Sequence, residues 1–267
     1  DFDFEIYNKL VEIFIPDLQF GENTRIKGTV YSNESKLKFD FASPEIMLFD
    51  NYLGNVKFNV NNYNPLYNTY ISVDTINNGL YNLKDFNFIN KTINDTLYVH
   101  SNFKGGKNKD QFNLSLYHTI NKDNNSVVGV KKSTINFNGN TWFLNEKNDK
   151  KNKIIFDEEF NAIKFDSIVL NNKNEFIKFA GSTNDSTYKN LKVSFNNVDI
   201  GKLVPKVDSL TLKGIINGNL NVVQKKGLYY PTSNITVDAI DFNKTPLGDM
   251  IISIEGNIGS GKSTFMK

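Results

Sequence analysis

Alternation of apolar and polar residues with a period of two runs through almost the whole of this 267-residue chain. Its clearest stretch holds Leu210, Leu212, Gly214, Ile216, Gly218, Leu220 and Val222, separated by Thr211, Lys213, Ile215, Asn217, Asn219 and Asn221. Successive side chains of a strand point to opposite faces, so this spacing makes one apolar face and one wet face. A helix needs apolar residues three and four apart, and almost no stretch between Phe2 and Ile254 reads that way. An all-β fold is expected.

The strands are short and closely spaced. Leu37, Phe39 and Phe41 alternate, then Val56, Phe58 and Val60, then Ile71 and Val73. After Asn77-Asn78-Gly79 come Phe86 and Phe88, then Leu97, Val99 and Phe103, and beyond Gly105-Gly106 come Phe112, Leu114, Leu116 and Ile120. Asp123-Asn124-Asn125 turns the chain again before Ile135, Phe137 and Phe143. Later strands carry Ile163 and Phe165, Ile177 and Phe179, Leu191, Val193 and Phe195, and Ile235 with Val237. Asn, Asp, Gly and Ser fill the gaps, as turns require. Pro44–Leu53 lacks clean alternation and reads as a bent strand or a short helical turn, and Ile200–Val207, with Gly201 and Pro205, as a corner. Asn145–Lys153 is the most polar stretch and the best candidate for a mobile loop.

Composition narrows the function classes. Hydrophobic residues make up 39% of the chain and aromatics 13%, enough apolar matter for a continuous core. The 31 basic and 29 acidic residues are evenly spread, and no basic stripe with interleaved aromatics argues for nucleic acid. Absence of Cys removes disulfides, thiolate zinc sites and Cys nucleophiles. Asp1–Phe4 already reads as strand, with no signal peptide and no apolar run of membrane-spanning length. An internal fragment of a longer protein is the expectation.

Alternation alone fits a sandwich, a closed barrel or an open curled sheet. The order of segments adds more. INFNGNTWFL within Thr134–Leu144 is followed by Ile163–Leu170 and by EFIKFAG at Glu175–Gly181. LKVSFNNVDIGKL at Leu191–Leu203, LTLKGIINGNL at Leu210–Leu220 and YPTSNITVDAIDFNKTPLG within Tyr230–Gly248 come next. In this order they resemble the repeat region of TamB-like proteins of the translocation and assembly module (AsmA-like superfamily), Bacteroidetes type, over roughly residues 20–256. The resemblance implies an elongated, curled antiparallel or mixed β-sheet, a β-taco or solenoid-like trough with an apolar interior. It also implies a periplasmic protein of a Gram-negative bacterium, anchored in the inner membrane by a helix outside this chain. Its function would be to carry phospholipid between the inner and outer membranes and so support outer-membrane assembly, with a BamA-like outer-membrane barrel as partner through other regions. Phospholipid acyl chains would lie against Leu210, Leu212, Ile216, Leu220, Val222, Ile235 and Val237. Each buried methylene contributes about 0.8 kcal/mol, and such transfer needs no catalytic residue, cofactor or metal. From the residues alone, any of these side chains could equally pack in a closed core, as in a structural or adhesive β-repeat protein.

The C-terminus offers a different chemistry. Gly256 to Ser263 satisfies GxxxxGK[ST], after an apolar strand at Met250–Ile254, and IISIEGNIGSGKSTF resembles the start of deoxynucleoside kinases. On that alternative Gly256, Gly261, Lys262 and Ser263 would bind phosphate. Only four residues follow Ser263, too few for the helix and carboxylate that a P-loop needs. The division expected is a TamB-like array over 1–256 and a truncated P-loop-like tail over 257–267. His100 and His118 sit on expected strands without a carboxylate cluster at ligand spacing, and Asp157, Glu158 and Glu159 read as a loop.

Overall fold

A computed structural model describes residues 1–79, 81–105, 110–185, 187–204 and 211–256. The protein is all-β, with nineteen strands assigned among these residues and every recorded pairing antiparallel. They fall into two compact units, divided between Ser115 and Leu116. The first contains β1 (Phe2–Glu5), β2 (Leu18–Phe20), β3 (Arg25–Tyr31), β4 (Lys36–Leu48), β5 (Asn51–Asn61), β6 (Thr69–Asn77), β7 (Asn82–Ile93) and β8 (Thr96–Gly105). Strand β9 (Asp110–Ile120) contributes to both. The second continues with β10 (Ser126–Val130), β11 (Ser133–Phe137), β12 (Asn140–Leu144), β13 (Lys153–Phe156) and β14 (Ala162–Asn172). It ends with β15 (Glu175–Asn184), β16 (Tyr188–Asp199), β17 (Leu212–Lys225), β18 (Leu228–Phe242) and β19 (Thr245–Glu255).

Turn chemistry follows the sequence. The Asn77 side chain accepts the Gly79 N–H at 2.8 Å, with Gly79 at φ 78°. Asn121 accepts the N–H groups of Asp123 and Asn125, both at 2.9 Å. Asp157 accepts the Ala162 N–H at 3.1 Å, so the acidic trio lies in the loop between β13 and β14. Besides single 3-10 turns at Ser32–Glu34 and Ile200–Lys202, one α-helix departs from the reading of strands alone: α1, Asn8–Phe14. Its seven residues are too few for a periodicity to stand out, and it is tied to β2 by Asn8, which accepts the Phe20 N–H at 2.9 Å. Among the described residues no helix is long and apolar enough to cross a membrane.

In the first unit the apolar side chains of neighbouring strands line up. Phe4, Ile26, Phe41, Phe58, Ile71 and Phe88 are successive cross-strand partners. Buried Ile46, Val56 and Val73 form a core with Leu53, Ile76 and Phe86 against them. Along β5, β6 and β7 these apolar positions step by three residues, not two. The extra residue comes at one level in four strands, at Pro44, Asn55, Asp74 and Asp85, so the register between them is kept. Asn55 and Asp85 take left-handed backbone there, φ 50° and 52°, as a bulge requires. Pro44–Leu53 is therefore a bent strand end and a tight turn, not a helical one.

The second unit contains an interrupted strand. β12 and β13 both pair with β14: Leu144 faces Leu170, and Ile154 faces Phe165. Residues 145–152 bulge out between them. Asn145 donates to the Val130 carbonyl at 2.6 Å, and Asn152 accepts the Val169 N–H at 2.9 Å. Both asparagines are buried. The stretch expected to be the most mobile is thus pinned at each end by a side chain that replaces missing ladder bonds.

Candidate functional site: the apolar face of the second unit

Directly opposed residues in a sheet share a face, so the pairings define what each face carries. One row runs His118, Val128, Ile154, Phe165, Gly181, Leu191, Val222, Pro231. The next runs Ile168, Phe179, Val193, Leu220, Ser233, Ile254, and a third runs Leu144, Leu170, Ile177, Phe195, Gly218. The intervening rows are polar over β16 to β19, Lys178 meeting Ser194 and Asn219, and Lys192 meeting Asn221, Thr232 and Glu255, but they begin apolar, with Val169 opposite Lys178 and Ala180 opposite Lys192. The alternation read in each strand is therefore kept in phase from strand to strand.

Bulges preserve that phase. β14 inserts a residue between Phe165 and Ile168, β16 between Phe195 and Val198, and β18 between Val237 and Ile240. Each insertion restores apolar residues to one face where strict alternation would have turned them over. Glycines provide close approach. A Cβ on Gly181 would stand 2.1 Å from the Asn190 carbonyl oxygen, and one on Gly218 the same distance from that of Asn234.

Most sequence-expected lining residues come together on this face. Ile216 pairs with Val198 and Val237, Leu220 with Val193 and Ser233, and Val222 with Leu191 and Pro231. Leu212, Ile216, Leu220 and Val222 are half-buried, whereas Ile235 and Val237 are 7% and 2% exposed. Part of the face is thus packed core and part is only partly buried. Leu210 lies outside the described residues, as do Gly261, Lys262 and Ser263; Gly256 follows the end of β19.

A polar cluster at one margin of the face was missed by sequence reading. Lys189, Gln224 and Tyr229 are cross-strand neighbours on β16, β17 and β18, two residues along from Leu191, Val222 and Pro231. The Lys189 ammonium donates to the Tyr229 hydroxyl at 3.3 Å and sits 5.7 Å from the centre of its ring. Parity gave the available signal: Lys189 shares the phase of Leu191, Val193 and Phe195. The histidines sit on strands β8 and β9, each within hydrogen-bond distance of a serine hydroxyl: His100 to Ser115 at 3.0 Å and His118 to Ser126 at 3.2 Å. Among the described residues no group of three or more His, Asp or Glu is placed to hold a metal ion.

Comparison with protein-family models, with curated proteins and with solved structures finds no match to this chain.

Proposed function

We propose that this chain is a non-enzymatic segment of a lipid conduit, in which an antiparallel sheet curls around an apolar face that solvates phospholipid acyl chains. The observation that carries this reading is the register. Apolar rows stay in phase across the strands of the second unit, with bulges where the phase would slip, yet Leu212, Ile216, Leu220 and Val222 are only partly buried. A sheet selected only for a closed core would bury such side chains fully, as it buries Val198 and Val237. Acyl chains on these rows gain the transfer energy of apolar surface without any directional chemistry, which suits a face of uniform Leu, Val, Ile and Phe. The resemblance to TamB-like repeats supports a periplasmic location, a membrane anchor and an outer-membrane barrel partner, the last two through regions outside this chain.

Photo-crosslinking tests the reading. A benzoylphenylalanine at Leu220 or Val222 is expected to capture phospholipid from vesicles or cells, and one at Asn221, on the opposite face, is not. Equal labelling from both faces, or none from either, would dispose of the conduit.

A further inference from the structure

We propose that Lys189, Gln224 and Tyr229 form a polar subsite for the head of an amphiphile whose chain lies along Leu191, Val222 and Leu220; the inference rests on the conduit reading above. Three observations lead to it. First, the cluster shares the face of the apolar side chains and forms the row next to Leu191, Val222 and Pro231, with Lys189 opposite Gln224 and Gln224 opposite Tyr229. Second, the Gln224 side-chain oxygen is buried with no hydrogen-bond partner among the described residues, on a side chain only 4% exposed. A buried carbonyl oxygen left unpaired costs about as much as a lost hydrogen bond, so it marks a place where a donor from outside would be welcome. Third, the Lys189 ammonium has no carboxylate within ion-pair distance among the described residues, and its hydrogen bond goes to the neutral Tyr229 hydroxyl.

These groups specify a head by their chemistry. An uncompensated ammonium at the margin of an apolar face suits an anionic oxygen, and an orphan amide oxygen suits an N–H or O–H donor. A phosphate diester bearing an ammonium or hydroxyl group supplies both, while the adjoining Leu and Val rows receive its hydrocarbon. Lys189 now arches from β16 toward Tyr229 on β18, over the strand that carries Gln224. A bound phosphate would draw the ammonium away from Tyr229 and open Gln224 to the donor.

Five probes separate the terms. Dodecylphosphoethanolamine has the chain, anion and donor; dodecylphosphocholine has the chain and anion without a donor. Dodecyl maltoside has the chain and donors without the anion, laurate has the chain and anion alone, and glycerophosphoethanolamine has the head alone. Titration calorimetry below the micelle concentration is expected to show the first bound about tenfold more tightly than the maltoside, and the free head not measurably bound. Lys189→Met should remove most of that tenfold preference and leave maltoside binding unchanged. Gln224→Met should abolish the preference for the ethanolamine over the choline head. Circular dichroism checks that both variants fold. Equal wild-type affinity for the ethanolamine and maltoside probes, or an equal loss for every amphiphile in Lys189→Met, overturns the subsite and leaves the conduit standing. Failure of the wild type to bind any of the four chain-bearing probes overturns the conduit reading itself.

Discussion

At the scale of single residues, Asn, Asp and Gly take most of the left-handed backbone positions; Ser35, Phe49, Phe160, Lys173, Lys226, Lys244 and Ala239 are the others, and of these only Ala239 lies within a strand. Asn197 and Ala239 both sit at bulges, at φ 50° and 53°, and each donates its N–H to a side chain of the next strand. Asparagine tolerates that conformation, whereas a Cβ without polar compensation costs about 1 kcal/mol. Ala239→Gly is therefore expected to stabilise the protein by about 0.5–1 kcal/mol, read as a raised denaturant midpoint. No gain would mean that the strain is absorbed elsewhere. Gly218→Ala should do the opposite. Its Cβ would meet backbone 2.1 Å away at φ 114°, and a loss of about 2–3 kcal/mol is expected. Charge contributes less and in a known direction. The Arg25 guanidinium, donating to Asp3 at 2.6 and 2.7 Å, holds that carboxyl below its usual range on an exposed surface. A depressed folded value stabilises above the unfolded carboxylate pKa, about 3.9, and the effect disappears as pH falls through the folded one. Asp3→Asn should thus be less stable than wild type near neutrality and equal to it in acid; a gap that persists in acid would rule out ionisation as the cause.

At the scale of elements, strands and turns were legible because each depends on neighbours in sequence. Every alternating run from Leu37–Phe41 to Ile235–Val237 lies in a strand, apart from Leu210, outside the described residues. Helix α1 was not legible: seven residues give two turns, and Asn8 fixes it by a contact twelve residues away. The bulges escaped notice because a step of three within a strand looks like lost alternation until the partner strands show the same step. Strand interruption was hidden for a related reason. Asn145 and Asn152 look like any loop asparagines, but their roles lie across the sheet, at Val130 and Val169. Asn145→Ala and Asn152→Ala should each cost about 2 kcal/mol, since each strands a backbone group that is buried at Val130 and partly buried at Val169, whereas Lys150→Ala, in the same loop but exposed, should be neutral. Urea unfolding of the three variants distinguishes a pinned loop from a mobile one: near-equal midpoints would show that the asparagines hold nothing.

At the scale of the whole molecule, the question that alternation leaves open is whether its apolar face is shut or available. The two outcomes differ in a way that solution measurement reads directly. Within the second unit, buried Val198, Ile235 and Val237 lie beside partly buried Ile216, Leu220 and Val222. A face that is core in one part and open in another should bind a polarity-sensitive dye in the native state, before any unfolding. Such a dye is expected to brighten at neutral pH and low temperature, and dodecylphosphoethanolamine should displace it in a saturable way. Leu220→Asn removes apolar surface from the open part and should weaken dye binding while costing little stability. Val237→Asn places an amide in the buried part and should cost about 3 kcal/mol or more. That asymmetry is the test, because both residues share a face, belong to adjacent strands and look alike in the sequence. A closed core predicts two large losses of stability and no native dye binding, and that pair of results would make the apolar face a means of folding alone.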